Sequence, residues 1–264
     1  MHTTRPPIQT ALSCEFWPAE SGRTRLVREA RGPIHCVLHR GFVGRPDILL
    51  VAKDTAGLLE VDTCSLRIVA RAGSNVLVSD PGPTKLLTAR SDATAKQRMD
   101  VVVEEGARLI YAPHAVVPLA GSRASMETQL DVAQNCRLAY AGVLSPGRTV
   151  SGEIWDQTFL RQSARLAVMG EPIFHESLGL GASRPSDTRH LVSVLIYDPL
   201  AEQAVAAMRE VAPEAAVVQV AEGLVCARAM VHQADEGYGI IRRLLNAWAS
   251  DLPASTWGRI GYAA

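Results

Sequence analysis

The sequence predicts a mainly β protein, built as stacked hairpins in a sandwich or a solenoid-like array, with a few helices that lie mostly C-terminal. Three observations predict it. Apolar and polar residues alternate with period two in segment after segment, the spacing that puts every other side chain on one face of a strand. Strand-like runs and Gly or Asn turns recur as four hairpin-like units, about every 30 to 35 residues and without sequence identity between units. Helix signals are confined to the region after Asp198.

Taken in order, residues 1 to about 20 carry Arg5-Pro6-Pro7 and no clear period. They are expected to form a flexible arm ahead of a single β-rich domain over residues 21–264. Short strands are expected at Thr24 to Glu29, Pro33 to His39 and Ile48 to Ala52. The repeating units follow. Asp62, Cys64, Leu66, Ile68 and Ala70 alternate with Thr63, Ser65, Arg67, Val69 and Arg71, and the turn Ala72-Gly73-Ser74-Asn75 leads into Val76 to Val78. Val101 to Val103 runs through Glu104-Glu105-Gly106 into Ala107 to Tyr111. Thr128, Leu130 and Val132 alternate with Glu127, Gln129 and Asp131 before a turn at Gln134-Asn135 and a strand from Arg137 to Ala141. Ala164, Leu166 and Val168 precede a turn at Gly170-Glu171-Pro172 and a strand that ends near Leu180.

Beyond the polar stretch Ser183 to Asp187, a strand is expected from Leu191 to Tyr197. Asp198-Pro199 reads as an N-cap with proline at the first helical position. That helix is expected to bury Leu200, Ala204, Met208 and Val211 and to stop before Pro213. Strands at Val217 to Val220 and Leu224 to Val231 follow. A closing helix near Asp235 to Ser250 spaces Tyr238, Ile241, Leu245 and Trp248 on one face.

Composition removes several function classes. Lys plus Arg and Asp plus Glu each number 27 of 264 residues, so the net charge is zero, and aromatic residues make up 5%. With no basic block to follow a phosphate backbone and few rings for base stacking, nucleic acid is not an expected partner. No run approaches the ~18 apolar residues of a membrane span, and the N-terminus has no apolar signal segment. Five scattered cysteines without a Cys-x-x-Cys pair argue against a disulfide framework. A cytoplasmic protein is expected.

Motifs for chemistry are sparse. Pro81-Gly82-Pro83-Thr84-Lys85 lacks the two-glycine frame of a phosphate loop, Gly179-Leu180-Gly181 is no dinucleotide fingerprint, and His175-Glu176 lacks the second histidine of a zinc-protease helix. No Gly-x-Ser-x-Gly elbow is present. No catalytic residue is predicted, and a protein that is not an enzyme is expected. The most informative residue is Glu176, which falls in phase with Phe174, Leu178 and Leu180. A carboxylate on a buried face is costly unless it is hydrogen-bonded, paired or metal-bound; a strand-edge glutamate reaching solvent fits the same pattern. His35 and His39 share a face beside Cys36, and Glu60 and Asp62 form an in-phase polar set with Cys64. Either group suits a metal, and either suits an ordinary half-exposed strand end. His114 is a lone histidine.

The ordered motifs resemble the urease accessory protein UreD family, called UreH in some organisms. The matching pieces run Gly22-Arg23-Thr24-Arg25-Leu26, Gly32-Pro33-Ile34, Leu58 to Asp62, Pro81 to Lys85, Gly106-Ala107-Arg108-Leu109, Pro113, and Gly147-Arg148 ahead of Gly152-Glu153. Gly170 to Leu178 looks like the family's D-G-x-P-L-x-x-E-x-L segment, and Gly223 to Arg228 ahead of a Trp-containing helix is also similar. Departures mark a divergent member: Asp54 to Asp62 replaces a Pro-Gly-Gly ahead of Gly-Gly-Asp, Leu86-Leu87-Thr88 replaces an aromatic-Arg, and only Arg259-Ile260 approximates a C-terminal Arg-Ile-Trp.

The resemblance implies a largely β scaffold that is not an enzyme. Such proteins join UreF-like and UreG-like accessory proteins on the urease apoprotein and assist Ni²⁺ insertion into its active site. It implies no tightly bound cofactor, only transient Ni²⁺, with Asp62, Glu153 and Glu176 as candidates for a labile nickel path and Lys85 and Arg148 as ties between loops or partners. Two alternatives stand beside it: a β-rich interaction protein without nickel transfer, and a metal-dependent enzyme using His35 and His39.

Overall fold

Through the middle of this chain the main strands are laid alternately into two facing sheets, and that winding decides where the candidate residues end up. The computed structural model describes residues 6–19, 24–41, 45–155, 158–181, 189–252 and 254–262. Gly22-Arg23 and the Ser183 to Asp187 stretch lie outside them.

The chain opens with β1 (Gln9–Pro18), β2 (Thr24–Arg31), β3 (Ile34–His39) and β4 (Asp47–Lys53). It continues through β5 (Thr63–Ala70), β6 (Asn75–Ser79), the short β7 (Thr84–Leu86), β8 (Ala95–Val103), β9 (Arg108–Tyr111) and the short β10 (Val116–Pro118). Next come β11 (Arg123–Val132), β12 (Arg137–Leu144), β13 (Phe159–Val168), β14 (Glu171–Leu180) and β15 (His190–Tyr197). Helix α1 (Val205–Val211), strands β16 (Ala216–Ala221) and β17 (Leu224–Val231), and helices α2 (Ala234–Trp248) and α3 (Ala254–Arg259) complete it. The class is therefore mainly β with few, mostly C-terminal helices. Among the described residues, no helix is long and apolar enough to cross a membrane.

One sheet has the order β14-β13-β11-β8-β5-β1-β2 and the other β16-β17-β15-β12-β9-β6-β4-β3. Within the first, β5, β8, β11 and β13 run parallel; within the second, so do β4, β6, β9 and β12. Each coil of the chain thus gives one strand to each sheet, and the coils stack as in a solenoid. This is the recurrence seen in the sequence, with one correction. The turns after β5, β8 and β11 do not close hairpins; they carry the chain from one sheet to the other, so β5 pairs with β1 and β8 rather than with β6. The reason is that the edges of the flanking strands are taken by strands of the neighbouring coils, parallel in every case but the β12–β15 pair.

The expected arm is also corrected. Gln9–Pro18 is a full strand inserted between β2 and β5, antiparallel to one and parallel to the other. Its period is real but spread over ten residues, with Leu12, Cys14 and Phe16 turned into the core.

The space between the sheets is filled by these residues with Ile68, Val101, Leu130 and Leu166 from one side and Leu49, Val76, Leu109 and Leu138 from the other. The opposite face of the second sheet packs against the helices through Leu77, Ile110, Val194, Ile241, Leu245 and Trp257. Helix α2 buries Tyr238, Ile241, Leu245 and Trp248 as its spacing predicts. The helix after Asp198 differs: a 3-10 turn (Ala201–Ala204) precedes α1, and the buried residues are Ala201, Met208 and Ala212, while Leu200 and Val211 are exposed. Met208 keeps its expected place, while the buried position moves by one residue at either end, from Leu200 to Ala201 and from Val211 to Ala212. Asp198 is not the N-cap of the 3-10 turn, a position that Leu200 holds without a side-chain cap; the Asp198 carboxylate instead accepts from Leu200 N (2.9 Å), Arg137 Nε (2.7 Å) and Trp248 Nε1 (2.9 Å).

Candidate functional site

Strand β14 is the edge of its sheet and pairs only with β13 along its length, Glu176 lying opposite Ala164. The two strands are joined by Met169 and Gly170, both at positive φ (52° and 87°), a two-residue turn whose twist matches that of the strands. This register turns Phe174, Glu176, Leu178 and Leu180 toward the other sheet and leaves His175 and Ser177 exposed. Glu176 faces inward yet keeps contact with solvent, its side chain being 37% exposed. Its Oε2 accepts from Nη2 of Arg228, on β17 of the opposite sheet, so one ion pair bridges the two layers. Arg228 also donates to its neighbour's carbonyl, Ala227 O, at 2.9 Å.

Behind the pair lies a cavity of about 260 Å³ between the sheets. Its walls include Glu176, Arg228, Gln97, Thr128, Tyr140 and His114. The Tyr140 ring stacks on Tyr111 with centroids 5.7 Å apart, and its hydroxyl lies 3.2 Å from Thr128 Oγ1. Gln97 Oε1 is buried without a hydrogen-bond partner among the described residues. At the far wall stand Asp80, Lys53 and Thr84, with Lys53 Nζ donating to Thr84 Oγ1 at 3.2 Å. These three residues also line a second cavity of about 320 Å³, formed between residues 51–58 and 80–85.

Asp80 is buried, and its Oδ1 accepts from His114 N at 2.7 Å. Burial raises its pKa to about 6, against the opposing pull of that hydrogen bond and of the Lys53 and His114 charges. His114 is held in turn, Nε2 lying 2.8 Å from Ile260 O and the ring packing edge-on to Tyr238 and Tyr262. The C-terminal segment therefore fixes the loop that carries Asp80's donor.

The other candidates are placed elsewhere. Asp62 is buried at the start of β5, where its two oxygens accept from Ile8 N and Leu59 N, each at 2.9 Å. This clamps the entrance of β1 and a turn in which Val61 has a φ of 66°. Asp62 and Glu176 lie four strands apart in the sheet order, about 19 Å at ordinary strand spacing. Glu153 and Arg148 come together: Arg148 donates to Glu153 Oε1 from Nε (3.1 Å) and Nη2, and Glu153 Oε2 accepts from Ala120 N at 3.2 Å. The guanidinium holds the Glu153 carboxyl below its ordinary pKa. Lys85 is exposed beside the second cavity. His35 pairs with Asp54 at 2.9 Å on the outer face of β3, where His39 is also exposed. Among the described residues no three His, Cys, Asp or Glu side chains gather into a metal-holding group.

Sequence reasoning missed Arg228, Asp80, Tyr140 and the role of His114. Arg228 had a signal of the same kind as Glu176: a charge inside the apolar run Leu224 to Val231. Asp80 and Tyr140 had none, because their meeting depends on the stacking of coils.

A family model described as UreD urease accessory protein matches residues 10–259. The urease accessory protein UreD of Cupriavidus pinatubonensis is 28% identical over 183 residues, 68% of this chain and 62% of that protein. The UreD of Herpetosiphon aurantiacus is 26% identical over 162 residues (61% of this chain, 56% of that protein). The urease accessory protein UreH of Helicobacter hepaticus is 26% identical over 164 residues, 59% of this chain and 64% of that protein. The chain thus aligns to less than two thirds of the length of these curated relatives.

Proposed function

This chain belongs to the UreD urease accessory protein family, and we propose that it serves urease maturation as a scaffold without catalysis of its own. In this reading it docks with UreF-like and UreG-like accessory proteins on the urease apoprotein and assists nickel insertion. The observation that supports it best is a pair of cavities that share the polar residues Lys53, Asp80 and Thr84, one of them ending at Glu176. A Ni²⁺ ion that is cargo has to leave again. Isolated carboxylates and hydroxyls hold it weakly and exchange fast, where clustered imidazoles or thiolates would retain it.

The proposed path runs past Asp80 and Glu176. Asp62 and Glu153, whose oxygens already bind backbone N–H groups or Arg148, act in it as struts that shape the loops. Lys85, exposed at the second cavity, is proposed as a contact for a partner.

The test is co-expression of the urease subunits and the other accessory proteins with and without this chain, scoring nickel content and urea hydrolysis. Loss of both on omission, with apo-urease still assembled, is the expected outcome. Glu176→Ala is then expected to lower nickel loading several-fold while the protein still joins its complex. A second reading, an interaction protein without nickel transfer, draws on the Arg228 pairing that already neutralises Glu176. Urease fully loaded in the absence of the chain would put that reading first.

A further inference from the structure

Away from both cavities, two buried thiols lie on strands of different sheets at the same end of the sandwich. Cys14 lies in β1 and Cys36 in β3, strands of different sheets, 0% and 5% exposed. β1 and β3 approach each other across the core, and Cys14 and Cys36 both turn into it. The two side chains share one core cluster and interact directly. A third group is aimed at them. Arg28, exposed on β2 and opposite Cys14 in the β1–β2 register, donates from Nη1 to Cys36 O at 2.6 Å and to Cys36 Sγ at 3.5 Å.

Cysteines kept only for packing need no cation at the sulfur. A guanidinium there favours the thiolate, the form that attacks disulfides. Contact with Cys14, then Arg28, holds the Cys36 thiol down at about 6 despite its burial, with His35 adding to the effect. The same contact and burial push Cys14 up, leaving it a protonated thiol.

We propose that Cys14 and Cys36 are a reversible dithiol–disulfide pair whose oxidation staples β1 to β3 and locks the two sheets together along this edge. The oxidant is a low-molecular-weight disulfide. The Cys36 thiolate attacks one of its sulfurs, forming a mixed disulfide and expelling a thiolate. Cys14 then attacks the Cys36 sulfur; the second small thiol leaves and takes the Cys14 proton. Two protein thiols are oxidised and one small disulfide is reduced to two thiols. Arg28 is the positioning residue, exposed at the edge through which the reagent enters.

The experiment uses the full chain, reduced and then exchanged into oxidised glutathione. It is expected to lose two of its five thiols, to give a Cys14–Cys36 cross-linked peptide on mapping, and to gain thermal midpoint; dithiothreitol reverses all three. Cys14→Ser and Cys36→Ser each abolish the cross-link, while Cys226→Ser leaves it intact. Arg28→Gln moves the pH midpoint of the oxidation rate upward, a shift that loss of packing alone does not produce, and His35→Gln run beside it separates the smaller contribution of that ring. Five free thiols after oxidation, linkage through another cysteine, or arrest at a glutathione adduct on Cys36 overturns the proposal. Because mapping uses the unsubstituted chain, a serine variant that fails to fold does not obscure the result.

Discussion

Asp80 carries a carboxylate into a place where burial works against its charge, and the sign of its effect on stability follows from that. Its folded pKa is raised from 3.8 to about 6, so the folded state binds the proton more tightly than the unfolded chain does. The associated stability is present below about pH 4 and is lost as pH rises through 6, a cost of about 3 kcal/mol by linkage. Asp80→Asn mimics the protonated form. It is therefore expected to be more stable than the parent at pH 8 and to converge with it near pH 4, as read by urea denaturation across that range. Groups held low by arginine partners, such as Glu153 and Asp251, act in the opposite direction, and the difference between variant and parent cancels them. A constant offset at every pH would show that Asp80 does not titrate in this window. Glu176 is the other residue-scale lesson. Its phase in β14 was legible because period two is a local property, whereas Arg228 as its partner was not, since 52 residues separate the two.

Strands and turns carry the next level of argument, and Gly32 marks the point where two of them press together. It sits between β2 and β3 at a φ of +76°, and a Cβ there would run into the Gln9 carbonyl at the start of β1. Left-handed backbone costs a non-glycine residue roughly 1–2 kcal/mol, and the clash demands that β1 shift as well. Gly32→Ala is expected to destabilise by about 2–4 kcal/mol in all, measured as a lowered urea midpoint with an unchanged slope. A loss below about 1 kcal/mol would mean that β1 yields easily. The strands with clear alternation, β5 and β11, were readable from sequence alone. Short β7 and β10 were not, because three residues contain too little period to register; they exist only because each finds a parallel partner in the next coil.

For the molecule as a whole, winding makes the N-terminal strand a structural member. β1 lies between β2 and β5 and buries Leu12, Cys14 and Phe16 at 0–2% exposure. Each such side chain contributes roughly 1.5–3 kcal/mol on burial, and both strand ladders are lost with it. The sum approaches the ~5–15 kcal/mol that holds a domain together. Deleting residues 1–18 is thus expected to abolish cooperative thermal unfolding and to give aggregated protein on gel filtration. A truncated chain with the parent's far-UV circular dichroism and thermal midpoint would restore the view of this region as a dispensable arm.

Local periodicity and turn chemistry were enough for the chain to declare its class by itself: strands over most of its length, helices at the end, a turn at Gly170 (though Glu171 and Pro172, expected in that turn, open β14 instead), the buried face of α2, and Glu176 on an inward face. Those features depend on neighbours within a few residues. The central place of β1, the parallel stacking of coils, the Glu176–Arg228 bridge, the Asp80 wall shared by two cavities and the Cys14–Cys36 contact were decided by tertiary structure. Each joins strands from different coils or different sheets, and no spacing along the chain encodes which coil comes to rest on which.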